Sequence, residues 1–151
     1  MGFENVSVIN GKSIKIGNIT ITKTPAVHGD NEQVAARMGT VSGYILTGEE
    51  KTLYIAGDTV FYEGVERTLN EYVPDVIIVN CCEATIPLGR LIINLNDVQA
   101  VCRICPNATV IATHLDSANH ALVSSDDVRR FAAEHHLTQV VVPKNEENIE
   151  L

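Results

Sequence analysis

The first third of the chain alternates apolar and polar residues at a period of two, and the rest changes to helical spacing broken by short apolar runs. Residues 6–9 and Ser13–Ile16 flank Asn10-Gly11, a dipeptide that tolerates positive φ, so the pattern predicts a β-hairpin there. Gly17-Asn18 turns the chain into a further strand over 19–24. The stretch 29–37 carries few apolar side chains and reads as a surface loop of the kind that borders sites. Strands are expected again over 41–47 and, after the turn Gly48-Glu49-Glu50, over 52–56.

Beyond residue 60 the spacing lengthens. Phe61, Val65, Leu69 and Tyr72 recur at helical intervals, which predicts an amphipathic helix over 61–72. The run 76–79, bounded by Pro74-Asp75 and Asn80, has the β-branched composition of a buried strand. Asn96-Asp97 are placed to cap a helix with Val98, Val101, Cys102 and Cys105 on one face, stopped by Pro106. Another buried strand is expected over 110–112. Ser124 with Asp127 has the form of a capping box, opening a helix with Val128, Phe131, Ala132 and His135 on its inner stripe. A strand over 140–142 and a polar tail over 144–151 complete the chain. Strands first, then alternating β and α, describe a layered α/β arrangement, one domain over residues 1–151 without repeat or linker.

Composition narrows the function. With 151 residues, 45% hydrophobic and 20% charged, the chain is long enough to bury a core and has the balance of a globular protein. A formal charge of −8 argues against a nucleic-acid backbone or an anionic membrane as partner. A small anionic substrate remains open, because a bound metal reverses the local sign. No apolar run approaches the ~20 residues of a membrane span. The N-terminal residues lack the basic-then-apolar order of a signal peptide. Four cysteines without one read as reduced thiols, so the expected compartment is the cytoplasm.

Three residues stand out because each follows an apolar run, where strands end and sites are built. They are His28 in Val27-His28-Gly29-Asp30, Asp58 in Gly57-Asp58-Thr59 and His114 in Thr113-His114-Leu115-Asp116. Two imidazoles and a carboxylate suit a borderline cation such as zinc, manganese or iron. Each has a structural alternative: a strand-end histidine can be a hydrogen-bonded loop residue, and an aspartate in such a turn can accept backbone N–H bonds. His120, six residues past His114, is a candidate for substrate binding or proton donation, or a capping histidine. His135 and His136 end a helix and read as structural. Cys102 and Cys105 have the C-x-x-C form but lie late in a helix, on its apolar stripe, where core packing is the reading. Cys81-Cys82 follow the strand 76–79 onto the same rim, as buried thiols, extra ligands or a nucleophile.

Taken in order, Thr24-Pro25-Ala26-Val27-His28-Gly29, Val41-Ser42-Gly43-Tyr44-Ile45-Leu46, Leu53-Tyr54-Ile55-Ala56-Gly57-Asp58-Thr59 and Ile111-Ala112-Thr113-His114 resemble the metallo-β-lactamase superfamily. The resemblance is to its broad group of metal-dependent hydrolases and covers the chain from about Phe3 onward. It implies that His28 binds a first metal, Asp58 bridges two, His114 binds the second, and a metal-held hydroxide is the nucleophile. It also implies half of an αββα sandwich, with a mixed sheet and helices packed on one face. The family's His-x-His-x-Asp-His motif has no counterpart among His28, His114, His120, His135 and His136. The sequence corresponds to the second half of the family fold: a truncation, a split product or a naturally short relative.

Two consequences follow from the resemblance. The site keeps at most two histidines and one carboxylate, which favours weak, mononuclear or absent binding over a dinuclear centre. The sheet face that meets the other half in the family would be left apolar and open, inviting a homodimer or the missing half as partner. Three functions are therefore carried forward. One is a metal-dependent hydrolase acting on an ester, lactone, phosphoester or amide of a small molecule, with His120 assisting the leaving group. Another is an inert, self-associating module that keeps the scaffold. The third is a thiol enzyme built on Cys81 or Cys82.

Overall fold

The computed structural model describes residues 2–4, 6–116 and 119–150. Seven strands form one sheet: β1 (Ser13–Ile16), β2 (Ile19–Pro25), β3 (Ser42–Thr47), β4 (Leu53–Ile55), β5 (Val76–Asn80), β8 (Thr109–Thr113) and β9 (Val140–Val141), hydrogen-bonded in that order. The hairpin β6 (Thr85–Ile86) and β7 (Gly89–Arg90) stands apart. Helices α1 (Glu32–Met38), α2 (Glu63–Tyr72), α3 (Leu95–Ile104) and α4 (Ser125–Glu134) complete the described elements.

The sheet is antiparallel from β1 to β4 and parallel from β4 to β9. Parallel neighbours need crossovers, and here each crossover steps the same way across the sheet: α2 between β4 and β5, α3 between β5 and β8, α4 between β8 and β9. Right-handed crossovers that all advance in one direction put all their helices on one face. The core follows. Ile45, Tyr54, Ile77, Val79 and Val110 from alternate strand positions pack on Val65 and Leu69 of α2, Val98 and Val101 of α3, and Val128 of α4.

The opposite face carries the other alternate set. Ile21, Leu46, Leu53 and Val76 share one register level, and Tyr44, Ile55, Ile78, Ile111 and Val141 the next. Most of these are only half-buried, and a shallow groove of about 270 Å³ runs over Ile19, Leu46, Leu53 and Val76. The mixed sheet with helices on one face is the expected fold class.

Several local expectations are corrected. Residues 6–9 form no strand; Val6 and Val8 stay exposed, and β1 is an edge strand hydrogen-bonded only to β2 among the described residues. The first hairpin turns instead at Gly17, whose φ is +60°. The presumed loop 29–37 contains α1, opened by the Asn31 side chain, which accepts from Val34 N–H at 3.0 Å. The α3 cap is Asn94, in a reciprocal box with Asp97, two residues before the Asn96 of the Asn96-Asp97 reading. The capping box of Ser124 with Asp127 forms at α4 as the sequence suggests.

Candidate metal centre at the carboxyl edge of the sheet

Strands β2, β4, β5 and β8 run in one direction, so the segments that follow them emerge at one edge, the side where open α/β sheets bind ligands. His28 follows β2, Asp58 follows β4, Cys81 and Cys82 follow β5, and His114 follows β8. Hydrogen bonds stitch these segments together. Thr59, fully buried, accepts Val27 N–H on its hydroxyl at 3.0 Å, and Val60 N–H donates to Val27 O at 2.8 Å. The loop carrying His28 is thereby laced to the loop carrying Asp58. Gly57 allows that turn: its φ is +68°, and a side chain there would press on Ser42 O of β3 at 3.1 Å.

Asp58 is tied on its other side as well. Asn80, the last residue of β5, donates from Nδ2 to Asp58 Oδ1 at 2.6 Å and accepts on Oδ1 from Thr113 Oγ1 at 2.9 Å. Thr113 also reaches Val79 O at 3.1 Å. A polar chain thus runs Asp58–Asn80–Thr113 across three strand ends and stops beside His114. An amide donor on one carboxylate oxygen is the kind of support that orients a ligating carboxylate.

The edge also holds backbone in the left-handed region at residues other than glycine: Glu83 at φ +51°, His114 at +63° and Asp116 at +59°. Such conformations cost on the order of 1–3 kcal/mol and persist where surroundings hold them. For Asp116 that support is visible, because its Oδ1 accepts Ser125 N–H at the start of α4 at 3.1 Å. A second small core beneath the rim joins Val34 of α1 to Cys82, Ala84, Leu91 and Ile92. His28 is half-buried and His114 exposed. His120 is exposed on a turn, with Nδ1 3.3 Å from Asn119 Oδ1 and its carbonyl accepting Thr85 N–H at 3.1 Å.

The thiols weigh against cysteine chemistry. Cys81, Cys82, Cys102 and Cys105 are all free and buried. Burial pushes the Cys81 thiol up to about 12, and the neighbouring Cys82 adds to the rise. Cys82 is raised too, chiefly by burial and further by the charge of Asp58. A thiol that stays protonated is a poor nucleophile. His135 is engaged structurally, with Nδ1 3.0 Å from Gln99 Nε2 and its ring 4.2 Å from that of Phe131.

For a divalent cation the donor set has the right chemistry, and the edge gathers the three chain segments. Among the described residues, however, no three His, Cys, Asp or Glu side chains are grouped closely enough to hold a metal ion. The chain fits a metal in donor type and shared edge, and in this conformation falls short of a closed cage. Sequence reasoning missed Asn80 and Thr113, whose only signal is polarity at the end of an apolar run.

Residues 2–115 match the beta-lactamase superfamily domain. The chain belongs to the metallo-β-lactamase superfamily. Within that superfamily it is 33% identical over 150 residues to the UPF0173 protein YddR of Bacillus subtilis, an alignment covering 97% of this chain and 59% of that protein. It is 37% identical over 94 residues to a UPF0173 metal-dependent hydrolase of Methanopyrus kandleri, covering 58% of this chain and 37% of the relative. A solved structure described as a "possible metal-dependent hydrolase" from Veillonella parvula superposes with TM-score 0.92 at 33% identity, over 99% of this chain and 60% of that one. The isothiocyanate hydrolase from Delia radicum gut bacteria superposes with TM-score 0.88 at 30% identity, over 97% and 60%. This superfamily member thus spans about three fifths of YddR and of both solved relatives. Among the described residues, no helix is long and apolar enough to cross a membrane.

Proposed function

We propose that this chain carries part of the metal centre of a hydrolase, with His28, Asp58 and His114 as its contribution to the ligand set. The observation that supports this reading best is the double tethering of Asp58, to the His28 loop through Thr59 and toward His114 through Asn80 and Thr113. Zinc matches the two-imidazole, one-carboxylate set, and manganese or iron are alternatives of similar donor preference. When bound, the cation supplies a water acidified toward neutrality and polarises the bond to be cut. The chain's own residues position: Asn80 fixes the Asp58 carboxylate and Asp116 ties the segment after His114 to the start of α4. His120, on an exposed turn, is the proposed group to hold or hand over a proton at the leaving group. Substrates of this reading are small molecules with an ester, lactone, phosphoester or amide bond. The likeness to an isothiocyanate hydrolase adds a further small electrophilic carbon to that range.

Metal titration tests it. The 151-residue chain, stripped and reloaded, should bind zinc, and His28→Ala, Asp58→Ala and His114→Ala should each weaken binding at least tenfold. His120→Ala should leave binding intact and lower turnover alone. Equal zinc affinity in all four variants would remove the assignment.

A second reading keeps the scaffold without the reaction. It is favoured by the open apolar face over Ile21, Leu46, Leu53, Tyr44 and Ile55, which a second copy of the chain would cover. A dimeric mass at micromolar concentration together with no metal uptake would select it over the hydrolase.

A further inference from the structure

We propose that the cleft beside His114 is an anion subsite, which holds a carboxylate or phosphate group of the substrate while the bond to be cut lies at the edge of the sheet. Its relevance to a substrate rests on the hydrolase reading; the binding of the anion does not require the metal.

The cleft, about 490 Å³, lies between the carboxyl ends of β8 and β9 and the first turns of α4. Its walls include His114, Asp116, Ser125, Arg129, Lys144 and Asn145. Two cations in one cleft are unexpected in a chain with 11 Lys and Arg against 19 Asp and Glu. Arg129 is held in place. Nη1 donates to Ser125 Oγ at 3.1 Å and to Asp126 Oδ1 at 2.9 Å, and Nη2 donates to Val142 O at 3.2 Å. A guanidinium fixed by three acceptors keeps further N–H groups for an oxyanion and gives up little side-chain entropy on binding.

Carboxylates nearby weaken this field but leave the Lys144 side chain without an ion-pair partner among the described residues. Asp126 pairs with Arg129 at 2.9 Å, but an ion pair with one partner 88% exposed contributes little and opens readily to an incoming anion. Asp116 lines the cleft and keeps its charge while accepting Ser125 N–H, and Glu147 Oε2 accepts Lys144 N–H at 2.7 Å, so the attraction comes from the cationic side chains and not from the helix end. Lys144 stands on the segment after β9. Because Arg129 bonds Val142 O, two residues before Lys144, α4 fixes where that lysine leaves the sheet. His114 shares the same cleft, which puts an anion bound here next to the candidate centre. A substrate with an anionic tail and a hydrolysable head would span the two.

Amide NMR on the EDTA-treated chain, titrated with inorganic phosphate and separately with acetate at constant ionic strength, tests the subsite. Saturable shifts at Ser125, Lys144 and Asn145 are expected with one or both anions, and which anion saturates identifies the class. Lys144→Gln should weaken binding roughly tenfold, as loss of one charge-assisted contact does. Arg129→Gln should do the same, and Lys12→Gln, on an exposed lysine paired with Glu71, should change nothing. Lys144 is exposed, so its variant reports even if Arg129→Gln loosens the fold. Diffuse unsaturable shifts, or unchanged affinity in Lys144→Gln, would overturn the subsite. Binding seen only before chelation would place the anion on a metal, overturning the subsite and leaving the hydrolase intact. Conversely, a chain that takes up no zinc and still binds the anion keeps the subsite and loses the hydrolase.

Discussion

Asn80→Ala should loosen the candidate centre without touching any proposed ligand. The substitution removes the 2.6 Å bond to Asp58 Oδ1 and the 2.9 Å bond from Thr113. Thr113 retains Val79 O at 3.1 Å, so its hydroxyl is not orphaned and the loss is concentrated on Asp58. A hydrogen bond to a charged group contributes about 1.5–3 kcal/mol when buried. Exposed ion pairs contribute under about 1 kcal/mol. Asp58 and Asn80 are both half-buried, which places the expected cost near 1.5 kcal/mol. Urea denaturation of wild type, Asn80→Ala, Asp58→Ala and the double variant gives the coupling directly, and about 1 kcal/mol is expected. The same variant should weaken zinc binding ten- to a hundredfold through misorientation of the carboxylate. Coupling below about 0.3 kcal/mol, within the scatter of independent sites, would show that the Asp58–Asn80 contact holds nothing in place.

Two further outcomes test the packing around the site. Cys81 is pushed from 9.0 to about 12 and Tyr54 from 10.0 to about 12, both mainly by burial. The folded chain keeps protons that the unfolded chain releases, so stability should fall as pH climbs from about 9 toward about 12. The Cys81 share is roughly 2 kcal/mol at pH 10.5, and urea midpoints of Cys81→Ser against wild type should show a shallower alkaline decline. Parallel declines would refute that assignment. Val34 is the one buried side chain of α1, packed on Cys82, Ala84, Leu91 and Ile92. Val34→Ala should cost about 2 kcal/mol and raise hydrogen exchange across α1; a cost under about 0.5 kcal/mol would mean that α1 is not anchored there.

Periodicity made much of the fold legible. Alternation marked β2, β3 and β4, helical spacing marked α2 and the stripe of α4, and a β-branched run marked β5. These signals are local, because burial of one face imposes its own period on the sequence. The errors were of a different kind. Residues 6–9 have strand composition, but a strand forms only by pairing, and composition cannot say that these residues leave the free edge of β1 unpaired. α1 escaped notice because one valine anchors it, too few apolar positions to leave a period.

The sequence by itself determined which residues end strands, and so named His28, Asp58 and His114. It determined the family through the order of those motifs. Only the tertiary structure decided how the segments meet. Asp58 and Asn80 lie 22 positions apart, and Asn80 and Thr113 lie 33 apart. Their contact follows from strand order and direction, and no local pattern encodes either. The same holds for Arg129 and Lys144, separated by β9 and joined at one cleft because a single crossover returns the chain to the edge it left. Local chemistry selects the elements, while the pairing of distant strands selects which side chains share a site.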